Sequence, residues 1–364
     1  MRKWRVRGSR VGGFLAVGVW ALVGCGGHTG GLDAGGAGSA AYGNGSGGAG
    51  ARAPEITQEP DAIVPCTDGC LPRLVGKAKL DFDYWIEHLS VDPDRHRLYA
   101  NGFRVDLSNP LDAKVTVLPN KSYSTVEPRT GRYATTTADG RTLKVFDPDD
   151  RLYDSQPMPG VVCGITSDPA TGFFYVATET ENQLVVYDSA AKRLHASRPL
   201  DFPPSEAIFE AASRRVYVIS HSYDNNGTDQ SLILDESYDD RGSVDGDVLA
   251  ADAGHTYVAT NFSSPPNLLE VRSSETWDLT KVQFDTQAFW VAPDPVLGRL
   301  YVRRADDIAV FDQSSGAYLS SLPMDDNFAI ENVAFVPGDN RIYVEVFNYT
   351  GATPELDLLT FATQ

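Results

Sequence analysis

The sequence predicts an all-β protein, a seven-bladed β-propeller of about 42 residues per blade, closed by an N-terminal strand in the last blade. Three observations predict it. A hairpin pattern recurs along the chain, its tyrosines are evenly spaced, and no useful length of helical periodicity appears after residue 60.

Residues 172–188, GFFYVATETENQLVVYD, show the unit. The run Phe173 to Val176 meets a polar turn at Glu179 to Asn182, and a second run, Leu184 to Tyr187, ends on Asp188. A lone hairpin is marginally stable in water, so this one needs neighbours. Aligned on the first-strand tyrosine, the hairpins place Tyr99, Tyr133, Tyr175, Tyr217, Tyr257, Tyr301 and Tyr343 in equivalent positions. The spacings are 34, 42, 42, 40, 44 and 42 residues. A repeat of roughly 40–45 residues holding several strands is a propeller blade, so seven anchors give seven blades.

Each slot has a physical reason. An acid precedes most tyrosine strands, followed by proline or alanine: Asp92-Pro93, Glu127-Pro128, Asp168-Pro169, Glu210-Ala211 and Asp294-Pro295. Proline fixes φ there, and the carboxylate can accept turn amide protons. Downstream, a strand closes on aspartate at Asp147, Asp188, Asp235 and Asp312. The two strands are expected to be antiparallel neighbours, burying aromatic and branched faces between blades. Blade one is short between Tyr99 and Asp106, blade four carries the insertion HSYDNNGTDQS, and blade five ends its third strand LLEVRSS without the aspartate. Residues 73–82, RLVGKAKLDF, form a strand with no blade of its own, expected to complete blade seven as its outer strand and leave no open edge.

GFFYVATETENQLVVYD, HTYVATN at 255–261 and GRLYVRRADDIAVFD at 298–312 resemble the YVTN-type propeller repeat, over about residues 75–361. The resemblance implies the fold. That repeat also occurs in lactonase-like and quinoprotein-type propellers, so function has to be argued from the site.

The ends set the context. Residues 1–24 read as a signal peptide: a basic start (Arg2, Lys3, Arg5, Arg7, Arg10), then an apolar run from Val11 to Val23 too short to span a bilayer comfortably. The ending Leu22-Val23-Gly24-Cys25 resembles the lipobox of bacterial lipoproteins. That resemblance implies lipidation of Cys25, removal of everything before it, and a membrane partner reached through the lipid anchor. Gly26 favours the outer membrane by the same analogy. Residues 25–53, rich in glycine, alanine and serine, form a tether; Gly26 to Ala53 spans 28 residues, with a typical reach of about 30 Å. Residues 54–72 are a cysteine-containing lead-in, and 73–364 the propeller. Cys66 and Cys70, flanking a Thr-Asp-Gly turn, suit a disulfide-closed loop in an exported protein. Cys163 reads as a buried structural thiol.

Removing residues 1–24 takes away five of the 31 basic residues and no acidic one, leaving 26 against 49, a net of −23. So acidic a body argues against nucleic acid as a partner and admits divalent cations.

Candidate ligands sit where the innermost strand of each blade begins. Five residues before the turn acid, or its aligned equivalent, stand Glu87, Ser122, Cys163, Ser205, Asp247, Phe289 and Glu331. Their neighbours are His88, Tyr123, Gly164, Glu206, Val248, Trp290 and Asn332. Strand alternation lets one of these rings face the channel. The first is polar or acidic at six of seven positions, so it is expected to be wet. Glu87, Asp247 and Glu331 supply oxygen ligands for a metal such as Ca²⁺. With His88, Glu206, Trp290 and Asn332 they also form a possible site for a cationic small molecule or sugar. A water-filled channel without a ligand stands beside both.

No G-x-S-x-G elbow, H-E-x-x-H or phosphate loop is present, and the histidines are scattered. Two functions remain. The first is a tethered envelope propeller that binds or scaffolds a protein, glycan or small molecule without catalysis. The second is a metal-dependent lactonase or hydrolase using the channel carboxylates.

Overall fold

A computed structural model describes residues 72–80, 89–100, 102–109, 113–118, 123–220, 230–252, 254–260, 268–285, 288–304, 307–322, 324, 328–336, 340–349 and 355–363. All regular structure there is strand, in seven antiparallel sheets of four. No helix long and apolar enough to cross a membrane occurs among the described residues.

Each sheet is one blade, and the innermost strands are Leu89–Asp92, Ser124–Glu127, Val162–Asp168, Glu206–Glu210, Asp247–Asp252, Trp290–Asp294 and Phe328–Val336. These seven strands touch one another in sequence order, and the seventh touches the first, which closes the ring. The expected closure is present: Arg73–Leu80 pairs antiparallel with Glu355–Ala362 as the outer strand of blade seven. Lys77 Nζ lies 2.6 Å from the buried Asp357 and Lys79 Nζ 2.7 Å from Glu355, so charge as well as backbone pairing holds that strand.

The tyrosines earn their spacing by burial. All seven stand on the second strand of their blade with at most 2 % of their surface exposed. Tyr99 packs on Tyr133 of the next blade with ring centroids 5.2 Å apart, and Tyr175 stacks on Phe209 of the next blade at 5.3 Å. Large aromatic rings in a dry seam are a strong hydrophobic contribution, and the repeat places one in every blade. The partner strand is where the sequence put it: Tyr175 faces Val186 across the ladder, and Tyr301 faces Val310.

Candidate functional site

The innermost strands have two ends, and acids stand at both. At the turn end are Asp92, Glu127, Asp168, Glu210 and Asp294, each at most 1 % exposed. An acid at the last strand position meets amides two and three residues on, because the turn folds them back over it. Asp92 Oδ1 accepts the Arg95 amide at 3.2 Å, and Glu127 Oε2 the Thr130 amide at 3.1 Å. Asp168 Oδ1 accepts the Ala170 amide at 2.8 Å. Glu210 Oε1 and Oε2 accept the amides of Ala212 and Ser213 at 2.9 and 2.6 Å. These hydrogen bonds hold the Glu210 carboxyl below its ordinary range against the opposing effect of burial.

The turn-end acids also join blades. Arg95 Nη1, bound to Asp92, donates to the Pro128 carbonyl of blade two at 2.7 Å. Arg214 of blade four reaches back to Asp168 of blade three at 2.9 Å, and Gly254 of blade five donates to Glu210 of blade four at 3.3 Å. The sequence reading of these acids as turn acceptors holds; that they also stitch neighbouring blades was not read from it. Asp294 is the exception. Oδ1 accepts the amides of Val296 and Leu297 at 3.0 Å, Oδ2 has no hydrogen-bond partner, and burial pushes its pKa up.

The leading ends carry the sequence-predicted ring, and it is not uniformly wet. Cys163 and Asp247 are buried, whereas Ser205, Phe289 and Glu331 are half-buried. Innermost strands of blades three, five and seven have register shifts at Val162/Gly164, Val248/Ala250 and Ile330/Asn332. A bulge residue leaves the ladder and breaks the simple alternation of faces. Cys163, in the first bulge, donates its thiol to the Pro204 carbonyl of blade four at 3.0 Å and is a structural thiol, as expected. Gly164 beside it has no side chain because a Cβ there would stand 2.7 Å from Glu206 Cα. That position is a backbone contact between blades, not a ligand position.

Blades six and seven gather the other candidates. Trp290 pairs with Arg303 across the ladder, and the Phe289 amide donates to the Arg303 carbonyl at 2.9 Å. The Arg303 guanidinium lies over the Phe289 ring, 5.2 Å from its centroid. Next door, Glu331 occupies the bulge of blade seven, and Asn332 pairs with Glu345 on the second strand. Asn332 Nδ2 donates to Glu345 Oε2 at 3.2 Å inside the protein, where Glu345 is fully buried and its Oε1 has no hydrogen-bond partner.

Electrostatics here are governed by desolvation. Burial pushes Glu331 up to about 7, with Arg303 only partly offsetting it. Burial pushes the Glu345 pKa well above its ordinary value, against the Asn332 hydrogen bond and with the nearby Glu331 adding to the rise. Arg303 is pulled below its usual value by burial, its Nε has no hydrogen-bond partner, and among the described residues it makes no ion pair. Desolvated charges without full pairing cost folding energy, a pattern that clusters at functional sites.

Of the predicted residues, the structure brings Trp290, Glu331 and Asn332 together with Phe289. Trp290 packs against the apolar core shared by blades six and seven. Glu206 and Asp247 begin the innermost strands of blades four and five at the same end of the ring. Glu87, His88 and Ser122 lie outside the described residues, as do Cys25, Cys66 and Cys70. Among the described residues no group of three or more His, Cys, Asp or Glu is placed to hold a metal ion; without Glu87 this leaves the Glu87, Asp247 and Glu331 set open. The described histidines are dispersed; His195, for instance, packs on Phe173 at 4.8 Å between ring centroids.

Arg303 and Glu345 were missed by reading innermost strands alone. A signal existed two residues after each repeat tyrosine. That position holds Asn101, Thr135, Ala177, Ile219 and Ala259 in blades one to five, then the charged Arg303 and Glu345 in blades six and seven.

Comparison with known proteins adds no relative: no family model matches the chain, and none of the curated proteins matches it. The fold and site define a class, the seven-bladed β-propeller with a desolvated charged cluster at one end of its ring.

Proposed function

We propose that this chain is a lipid-tethered propeller of the bacterial cell envelope that acts as a binding or scaffold module without catalysis. The observation that supports the binding part is the desolvated cluster of Arg303, Glu331 and Glu345 at the leading ends of blades six and seven, in which Arg303 Nε and Glu345 Oε1 have no hydrogen-bond partner. The signal-like residues 1–24, the lipobox cysteine Cys25 and the tether to residue 53 support the envelope setting, and the resemblance to YVTN-type repeats supports the module's kind. Envelope proteins, glycans and small molecules are the partners in view, with the outer membrane as the favoured location.

One observation favours the alternative, a lactonase-like hydrolase that takes Ca²⁺ on Glu87, Asp247 and Glu331. A carboxyl at about 7 is poised for general-base work at neutral pH. The full chain, expressed in a bacterial host, decides between them in two steps. Radiolabelled palmitate should enter the wild-type chain and not Cys25→Ala, and a panel of lactones and esters should show no turnover with EDTA or with added Ca²⁺. Metal-dependent turnover lost in Glu331→Gln would replace the binding reading with the hydrolase. A Cys25 that takes no lipid would remove the tether.

A further inference from the structure

We propose that the turn-end rim of blades seven, one, two and three is a lipid-contact surface, which lies on a bilayer carrying anionic headgroups through exposed basic and apolar side chains of the outer strands. This rests on the reading of the chain as a lipid-tethered propeller and names the face that meets the membrane. Three structural facts carry it.

First, one position repeats. Each outer strand starts at the turn end, opposite the last residues of the third strand. Leu152, Leu194, Leu279, Tyr318 and Leu74 stand there opposite Phe146, Tyr187, Arg272, Phe311 and Phe361. All five are between 42 and 57 % exposed. In blades two to seven the ladder shifts register at this point, and a bulge turns neighbouring side chains out of the sheet together. Large apolar side chains exposed at the same place in five blades make a rim, unlike singly scattered ones.

Second, the preceding residue divides that rim into two arcs. It is Arg73, Arg151 and Arg193 in blades seven, two and three, and in blade one Lys114 precedes the half-buried Val115. All four bases are exposed, and the three arginines make no ion pair among the described residues. Arg132 and Lys192 lie over the Tyr153 ring, 3.9 and 3.8 Å from its centroid, and add two cations between blades two and three. Of the acids in the turns leading into these strands, Asp106, Asp147 and Asp188 accept turn amides and Asp150 pairs with Arg104, which leaves Asp149 exposed. The other arc is acidic. Asp239 and Asp278 hold the preceding position in blades four and five, Ala317 holds it in blade six, and Asp240 replaces the apolar residue of blade four. Long basic side chains beside apolar ones suit a headgroup layer, and each base near an anionic bilayer contributes about fivefold in affinity.

Third, the chain enters the fold in the basic arc. Arg73 opens the outer strand of blade seven at its turn end, and residues 26–72 lie between it and Cys25. A lipid on Cys25 therefore leads to the basic arc and not to the acidic one.

The test is hydrogen exchange of the purified full chain, read peptide by peptide, with phosphatidylcholine vesicles and with vesicles of equal parts phosphatidylcholine and phosphatidylglycerol. With the anionic vesicles, peptides covering Arg73–Leu80, Lys114–Val117, Leu152–Pro157 and Arg193–Pro199 should exchange at least about threefold more slowly, because a covered strand edge opens less often. Peptides covering Asp240–Asp245, Leu279–Asp285 and Tyr318–Ser321 should not change. Arg151→Glu combined with Arg193→Glu, both at exposed positions, should abolish the protection in blades two and three, whereas Leu279→Ser should keep the wild-type pattern. Circular dichroism confirms that both variants fold. No protection, equal protection around the whole rim, equal protection with both kinds of vesicle, or protection unchanged in the double variant overturns the surface. Protection of the arc that grows with protein concentration in the absence of vesicles assigns it to a second copy of the chain and overturns it too. The tether is judged separately by palmitate labelling. A labelled Cys25 with an unprotected arc keeps the tether and removes the surface; a protected arc with an unlabelled Cys25 keeps the surface and removes the tether.

Discussion

Asp168 and Glu331 are both carboxylates on an innermost strand, one at each end, and the protein treats them in opposite ways. Asp168 is fully buried but accepts the Ala170 amide, the Thr171 hydroxyl at 2.6 Å and the Arg214 guanidinium at 2.9 Å. Glu331 is less buried, yet no hydrogen bond to it is found among the described residues, and burial dominates it. Depth of burial is therefore the wrong variable. What separates the ends is the supply of donors. A tight turn brings two amides within reach of the acid that precedes it, whereas a bulge turns a residue out of the ladder and offers none. The turn end is built for stability, and the leading end of blades six and seven gives stability up.

The comparison breaks most visibly under substitution. Asp168→Ala strips acceptors from the turn and strands Arg214, and should cost about 2–4 kcal/mol in urea unfolding at pH 7. Glu331→Gln should be neutral or stabilising at the same pH, because it removes a desolvated charge. Equal losses in the two variants would dissolve the distinction.

A second prediction follows pH. Glu331 has a folded pKa of about 7 against an ordinary 4.5, so below pH 4.5 both states hold the proton. As pH rises from 4.5 to 7 the unfolded chain releases it first, and stability falls until it levels off above pH 7. Glu345 adds to this falling limb in the same direction. Glu210 works in reverse: its lowered pKa contributes stability above the ordinary carboxylate range that is lost as pH drops through the folded value. Thermal midpoints should therefore peak near the ordinary glutamate pKa, about 4.5. Glu331→Gln should flatten the fall above the peak by about 1–2 kcal/mol, discounted for the site's partial solvent contact. A curve that keeps rising to pH 8 would contradict both assignments.

The smallest effect sharpens the comparison within one end. Asp294 lacks a partner on Oδ2, so Asp294→Asn keeps the acceptor that matters and should cost less than about 1 kcal/mol. Asp168→Asn, which weakens the Arg214 pair, should cost more. Urea midpoints of the two amides, measured side by side, rank them.

The turn end was legible in the sequence and the leading end only in part. The tyrosine spacing comes from contacts that every blade repeats and the turn acids from contacts that most blades repeat, so the period reports them. Glu331, Asn332 and Trp290 were reached by counting back from the turn. The count assumes an unbroken ladder, and the bulges at Cys163 and Glu331 are where that assumption fails. Arg303 and Glu345 are the charged residues at a position the other five blades fill with uncharged ones, and a rule fitted to what the blades share passes over what makes two of them different.

The central claim is that burial raises the pKa of Glu331 and Glu345 at the leading end of blade seven, whereas turn hydrogen bonds lower that of Glu210 at the turn end. Carbon-13 NMR of the glutamate side-chain carboxyls, titrated from pH 3 to 9 and assigned through Glu331→Gln, Glu345→Gln and Glu210→Gln, measures it directly. The account predicts a midpoint near 7 for Glu331, one raised well above 4.5 for Glu345 and one below 4.5 for Glu210. Midpoints for Glu331 and Glu345 at or below 4.5 would show both ends to be equally well paired and would contradict it.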